Sequence, residues 1–302
     1  MSIRGVDRVI LGVEEMDAAQ QFLRDFGLAE RDKATHGATF EALDGTNLVL
    51  RGARDHGLPM AVGDTTNARE IIWGVDSVEA LQAIGAELSK DRQVAFGSDG
   101  ILRSRDNTGY AVAFQVTTRH GFDAAQPLLN VAGSSPNRVN RRIDFDAPHK
   151  PRSLGHIVLF VPDLAAARDF YTQRLGFRIT DSYRERSCFL RADGSNDHHT
   201  LFLIQRPDIP GGLHHIEFHF GDFNEVMMGG QRLSAKGWKT QSGPGRHVLG
   251  SNYFWYFKTP CGGALELACD MDYVTDDWQA GEWDFTPDMV AAWSTSHTLY
   301  GH

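Results

Sequence analysis

The sequence predicts an α+β fold in which four βαβββ modules pair into two similar halves. Three observations carry this expectation. The apolar run Val9-Ile10-Leu11-Gly12-Val13, followed by Phe22-Leu23 and Phe26-Gly27-Leu28, returns 148 residues later (157 minus 9) as Ile157-Val158-Leu159-Phe160-Val161, followed by Phe170-Tyr171 and Leu175-Gly176-Phe177. Each copy reads as a short strand leading into an amphipathic helix. A turn-rich stretch, from Gly133-Ser134-Ser135-Pro136 to Pro148-His149-Lys150-Pro151, separates the two copies.

In the second copy Leu164, Ala167, Phe170, Tyr171 and Leu175 recur at helical spacing, with Gly176 placed to close the helix. Strand-like runs follow over 177–183, 187–191 and 200–205. The pattern then restarts with a strand over 213–220, a helix over 223–233 and strands over 253–257 and 264–269. The first half restarts in the same way, with a strand over 70–75, a helix over 78–88 and a last strand over 111–116. The expected organisation is therefore an N-terminal structural domain over 1–135, a linker over 136–152, and a C-terminal catalytic domain over 153–302 that carries a tail.

Composition excludes several classes. The chain has 302 residues, 41% hydrophobic and 23% charged, which suits a globular protein. Its formal charge of −9 and lack of a basic run argue against nucleic-acid binding. No stretch approaches the roughly 20 apolar residues of a membrane span, and Met1-Ser2-Ile3-Arg4-Gly5-Val6-Asp7 lacks the apolar run of a signal peptide. Cys188, Cys261 and Cys269 show neither metal-ligand spacing nor a disulfide framework, so a cytoplasmic location is expected.

Histidine is concentrated in the second half: seven of 13 lie between His156 and His247. Glu266 stands alone in the apolar run Ala264-Leu265-Glu266-Leu267-Ala268, where a charge is costly unless a positive group meets it. His156 and His215 lie on other strand-like segments. Strand alternation assigns His215 to the polar face with Glu217 and His219, and His214 to the greasy face with Ile216 and Phe218. Two histidines and one carboxylate on separate strands suit an open non-haem Fe(II) site, while a lone strand histidine is more often structural. The duplication acts as an internal control. Aligning the hydrophobic frames sets Arg8 opposite His156, Glu70 opposite His215 and Ala113 opposite Glu266, so only the second half carries the set.

Four stretches of the second half resemble the type I extradiol ring-cleavage dioxygenases, the catechol 2,3-dioxygenase and dihydroxybiphenyl dioxygenase group of the vicinal oxygen chelate superfamily. They are Leu154-Gly155-His156-Ile157-Val158 with Val161-Pro162-Asp163; Asn196-Asp197-His198-His199-Thr200-Leu201; Leu213-His214-His215 with Phe218; and Gly245-Arg246-His247 with Tyr256-Phe257-Lys258-Thr259-Pro260-Cys261-Gly262-Gly263-Ala264-Leu265-Glu266. Trp255 departs from the aliphatic residue or Phe usual before the tyrosine, and the stretch between His199 and His215 is about one residue longer than the pattern. The assignment of His199 rather than His198 is correspondingly open.

The resemblance implies Fe(II), with Mn(II) as the other candidate, on His156, His215 and Glu266. It implies a catecholic substrate and O2 as partners, a muconic semialdehyde-type product, and a homo-oligomer. His199 is then the acid-base group, a role suited to imidazole, and His247 and Tyr256 hydrogen-bond the substrate oxygens. Tyr256 sits in the aromatic run Tyr253-Phe254-Trp255-Tyr256-Phe257, where a core role competes, and its ten-residue offset to Glu266 (266 minus 256) favours the catalytic one. The competing readings are a metal-dependent glyoxalase- or epimerase-like isomerase, and a metal-free ligand-binding protein of the bleomycin-resistance kind. The tail over 278–293 reads either as part of the pocket mouth or as an oligomer contact.

Overall fold

A computed structural model describes residues 2–34, 37–64, 66–124 and 129–296. The first half is an eight-stranded sheet. Its strands are β1 (Ile3–Val13), β2 (Ala29–Ala34), β3 (Gly37–Glu41), β4 (Asn47–Gly52), β5 (Asn67–Val75), β6 (Ala95–Phe96), β7 (Leu102–Arg105) and β8 (Ala111–Val116). Helices α1 (Met16–Phe26) and α2 (Val78–Leu88) follow the first strand of each module. The spatial order β2-β3-β4-β1-β5-β8-β7-β6 joins the two βαβββ modules through their first strands, β1 and β5.

The second half repeats the plan. It contains β9 (Ser153–Val161), α3 (Leu164–Asp169, continued by a π-helical turn over Phe170–Arg174), β10 (Arg178–Tyr183), β11 (Ser187–Arg191), β12 (Leu201–Gln205), β13 (Gly212–His219), α4 (Phe223–Ala235), β14 (Thr240–His247), β15 (Tyr253–Lys258) and β16 (Ala264–Cys269). The tail adds β17 (Gly281–Glu282), α5 (Pro287–Val290) and β18 (Ala291–Ser294). The tail strands extend the sheet at both ends, giving the order β17-β10-β11-β12-β9-β13-β16-β15-β14-β18. The sequence pattern did not foresee β14, whose Gly and Pro content hides it, nor the tail strands.

Local chemistry explains the helix starts. Ser77, Asp163 and Asp222 each accept a hydrogen bond from the backbone N–H three residues on, at the N-termini of α2, α3 and α4. Glu225 also accepts from Gly221 N, the residue before the cap, at 2.9 Å. Gly27 (φ +102°) and Gly176 (φ +77°) close α1 and the α3 segment in the left-handed region that other residues resist.

The helices lie on the outer face of each sheet, and one continuous apolar core runs through both halves. Phe26 of α1 packs edge-on against Phe218 and Phe220 of the second half, each at 5.7 Å between ring centroids. Phe22 meets Trp238 at 5.0 Å, and Trp73 of β5 meets Phe177 at 5.1 Å. Polar ties cross as well: Tyr171 donates to Asp106 Oδ2 at 3.0 Å, and the Tyr110 hydroxyl donates to Phe160 O at 2.8 Å while accepting from Gly212 N. The first half thus buttresses the outer face of β13, the strand that carries His215.

Because one buried hydroxyl serves backbone groups at the start of β13, Tyr110→Phe is expected to lower stability by about 1–3 kcal/mol, read from urea unfolding. An unchanged midpoint would show that the contact does not support β13.

Candidate metal centre and active site

The sheet of the second half curves so that one face of β9, β13 and β16 looks inward. Parallel pairing sets Glu217 of β13 beside Glu266 of β16, and antiparallel pairing sets His215 beside Val158, two residues along from His156. His156, His215 and Glu266 are all buried, and their donor atoms converge. The Nε2 atoms of His156 and His215 lie 3.0 Å apart. Glu266 Oε2 lies 3.4 Å from the first and 3.2 Å from the second. The turn before β16 explains how Glu266 is delivered: Gly262 (φ +86°) and Gly263 (φ +61°) are both left-handed, and a Cβ on Gly262 would strike Thr66 O.

These atoms fit a metal ion. Glu266 Oε1 accepts from Asn252 Nδ2 at 3.2 Å, whereas Oε2 is buried and receives no hydrogen bond. A buried carboxylate oxygen without a donor is costly, and a cation resolves the cost. Burial pushes the His156 imidazole down to about 4 and His215 well below its ordinary value, so both are neutral near pH 7. Adjacent donors about 2.1 Å from one ion stand about 3 Å apart, matching the observed separations. Behind His156, Glu217 Oε2 lies 3.5 Å from Nδ1, beyond a formed hydrogen bond but on the side from which carboxylates orient ligating imidazoles. Glu217 in turn meets His219 Nδ1 at 3.0 Å. Although burial opposes it, the charge of Glu217 raises His219 well above its ordinary value. Gly155 makes room for this pair, since a Cβ there would collide with Glu217 Oε2.

His199, His247 and Tyr256 line the same small cavity, about 20 Å³, with Phe189, Phe202, Leu249 and Tyr183. The His199 ring lies over His156 with centroids 4.2 Å apart, and burial holds its imidazole well below the ordinary value. His247 Nδ1 donates to Val290 O at 2.9 Å, which leaves Nε2 to accept from the Tyr256 hydroxyl at 2.9 Å. Val290 belongs to the tail, and Met289 and Val290 pack beside Tyr183, Phe189 and Phe202. The tail therefore packs on the apolar wall of the pocket, as the pocket-mouth reading of 278–293 expects.

One expectation is corrected. A β-bulge between Leu213 and His215 breaks the alternation that would turn His214 toward the helix layer. The His214 ring instead lies beside His215 and Phe160, centroids 4.8 and 5.1 Å away, and lines a groove of about 520 Å³ next to the cavity. His198 also takes a place of its own: its Nε2 donates to Asp181 Oδ2 at 2.8 Å, and its Nδ1 lies 3.1 Å from His199 Nδ1. Sequence reading missed Asn252, Asp181 and Glu217. Only Glu217 had a signal, as a charge on the same strand face as His215.

Since Asn252 fixes which oxygen of Glu266 faces the histidines, Asn252→Ala is expected to weaken metal binding about 10–100-fold in a chelator competition titration. Wild-type affinity in that variant would remove Asn252 from the site.

Residues 153–267 match the Glyoxalase/Bleomycin resistance protein/Dioxygenase superfamily. Metapyrocatechase 2 of Cupriavidus necator is 39% identical over 134 residues, covering 44% of this chain and 41% of that protein. An iron-dependent extradiol dioxygenase of Rhodococcus jostii (strain RHA1) is 27% identical, covering 100% of this chain and 97% of that protein. Biphenyl-2,3-diol 1,2-dioxygenase of Paraburkholderia xenovorans (strain LB400) is 30% identical over 92% of this chain and 91% of its own length. Among solved structures, the Mn(II)-bound glyoxalase from Novosphingobium aromaticivorans superposes with a TM-score of 0.76 at 24% identity, over 100% of this chain and 95% of that one, and shares the fold. The paired βαβββ modules, the converging histidines and carboxylate, and full-length kinship at this level place the chain in the type I extradiol ring-cleavage dioxygenases of the vicinal oxygen chelate superfamily.

Proposed function

We propose that this enzyme opens the ring of a catecholic substrate with O2, next to rather than between its two hydroxyls, using Fe(II) held by His156, His215 and Glu266. The observation that carries the reading is the trio of buried donor atoms within 3.0–3.4 Å of one another, with His199, His247 and Tyr256 lining the same cavity. Three protein donors leave coordination positions free, as the 2-His-1-carboxylate arrangement does. When bound, a redox-active metal supplies a route for electrons between catecholate and O2, reactants that do not combine unaided. Fe(II) is favoured over Mn(II) by the iron dependence named for the full-length Rhodococcus relative.

The remaining chemistry belongs to side chains. His199, neutral because it is buried, accepts a proton from a substrate hydroxyl at Nε2 and returns it later in the cycle. The Tyr256 hydroxyl donates its hydrogen bond to His247 Nε2 and so presents oxygen lone pairs to a second substrate hydroxyl. Tyr183, Phe189 and Leu249 supply apolar parts of the cavity wall beside these contacts. The metal-free binding reading has no use for an unsatisfied Glu266 Oε2 facing two neutral imidazoles.

The groove beside the cavity supports a substituted ring. Phe202 lines both spaces, and Phe160, Ile204, His214 and Phe285 continue the groove. We assign residues 1–135 as the structural domain and 153–302 as the catalytic one. No helix among the described residues is long and apolar enough to cross a membrane, and all three cysteines are free. These features support a cytoplasmic enzyme, and exposed Tyr273, Trp278 and Trp293 support self-association.

The test is oxygen uptake by anaerobically purified, Fe(II)-loaded protein given catechol, 3-methylcatechol and 2,3-dihydroxybiphenyl, with formation of a yellow product. Uptake is expected with all three and highest kcat/KM with the biphenyl. Ile204→Trp, in the groove but not in the cavity wall, is expected to reduce kcat/KM for the biphenyl about tenfold or more while sparing catechol. One bound metal with no uptake on any catechol would contradict the reading.

A further inference from the structure

The acid-base histidine is one end of a buried chain of hydrogen-bonding groups that the reaction outlined above does not use. Asp181 on β10 and His198 are both buried, and His198 Nε2 lies 2.8 Å from Asp181 Oδ2. The other oxygen, Asp181 Oδ1, accepts from Gly281 N at 2.9 Å and from Trp283 Nε1 at 2.8 Å, both in the tail. Oδ1 is thus occupied by two N–H donors, and a carboxylate facing an imidazole through its other oxygen accepts. His198 Nε2 must therefore carry a proton.

The next link follows from proton counting. A neutral imidazole carries one N–H and one lone pair. With Nε2 protonated, His198 Nδ1 is the lone pair, and it faces His199 Nδ1 at 3.1 Å. Two lone pairs cannot share that contact, so His199 Nδ1 donates. His199 Nε2 is then left as the bare nitrogen. The rings that would have to turn to escape this order are clamped: Phe189 lies edge-on to His198 and His199 at 5.5 and 4.9 Å, and Trp278 lies edge-on to His198 at 5.9 Å. Trp278 is itself fixed by donating Nε1–H to Thr180 O at 2.7 Å.

We propose that Asp181 and His198 are positioning residues that set the tautomer of His199, so that its Nε2 enters the reaction as a proton acceptor. The inference rests on the reading of His199 as the acid-base group. It also assigns the tail a second task, because Gly281 and Trp283 hold the carboxylate that starts the chain. Asparagine at 181 can point an N–H at His198 Nε2, which reverses every proton along the chain and leaves His199 with Nε2–H toward the substrate. Such a reversal in a carboxylate–imidazole pair lowers turnover while leaving the geometry in place.

The experiment has a spectroscopic arm and a kinetic arm. In ¹⁵N-histidine-labelled, zinc-substituted protein, NMR of the imidazole nitrogens, assigned by comparison with His199→Asn, reports the tautomer directly. The expected result is His199 protonated at Nδ1 and bare at Nε2 in the wild type, reversed in Asp181→Asn. In Fe(II)-loaded protein, Asp181→Asn is expected to lower kcat about 10²-fold or more, with KM for the catechol and metal stoichiometry unchanged. His198→Gln gives a second kinetic variant should Asp181→Asn fail to fold, and the wild-type spectrum needs no variant of the chain's start. A wild-type His199 carrying Nε2–H, or a doubly protonated His198, would overturn the proposal. So would full turnover in Asp181→Asn when His199→Asn is inactive. Full turnover in His199→Asn would instead overturn the acid-base reading on which the proposal stands.

Discussion

Everything at this site depends on a carboxylate carried into an apolar interior and given only half of what it needs. Glu266 is fully buried; Asn252 satisfies Oε1, and Oε2 is aimed at the Nε2 atoms of two neutral histidines. Left alone, that oxygen is a desolvation penalty of a few kcal/mol. With a cation it becomes one corner of a three-donor face. The surrounding features make that outcome the favourable one. Paired glycines turn the chain into β16, a bulge in β13 swings His214 aside, and Gly155 admits Glu217 behind His156.

The first half shows what the same frame does without the chemistry. Its strand register reproduces the second: Ile10 pairs with Glu70 as Val158 pairs with His215, and Ile72 pairs with Ala113 as Glu217 pairs with Glu266. In the positions of the triad stand Arg8, Glu70 and Ala113. Arg8 donates to Asn47 at 2.8 Å, and Glu70 pairs with Arg103 at 3.1 Å. Those groups close on one another. Among its described residues no metal-ligating set converges, and this half presses Phe26 and Tyr110 against the strand that holds His215.

Much of this was legible from residue order. The 148-residue repeat, helical spacing and isolated charge in an apolar strand are local signals, and they located α2 and β16 to the residue. The frame alignment of Arg8, Glu70 and Ala113 agrees with the pairing register because strand periodicity fixes which residues share a face. What stayed hidden depends on distant partners. A bulge is set by the neighbouring strand, so alternation misassigned His214. The π-helical turn over Phe170–Arg174 and the tail strands arise from packing, and β14 is held by β15 and β18 rather than by its own composition. Asp181 and Asn252 look like ordinary polar residues until the sheet brings them to His198 and Glu266.

The metal centre proposed for the second half leaves coordination positions open to small ligands. The most direct measurement is an anaerobic Fe(II) titration of metal-free protein, followed by nitric oxide and electron paramagnetic resonance. One equivalent of iron per chain is expected, with a quartet-spin nitrosyl signal that shifts when a catechol is added. Absence of bound iron, or one bound iron that gives no nitrosyl signal, would contradict it.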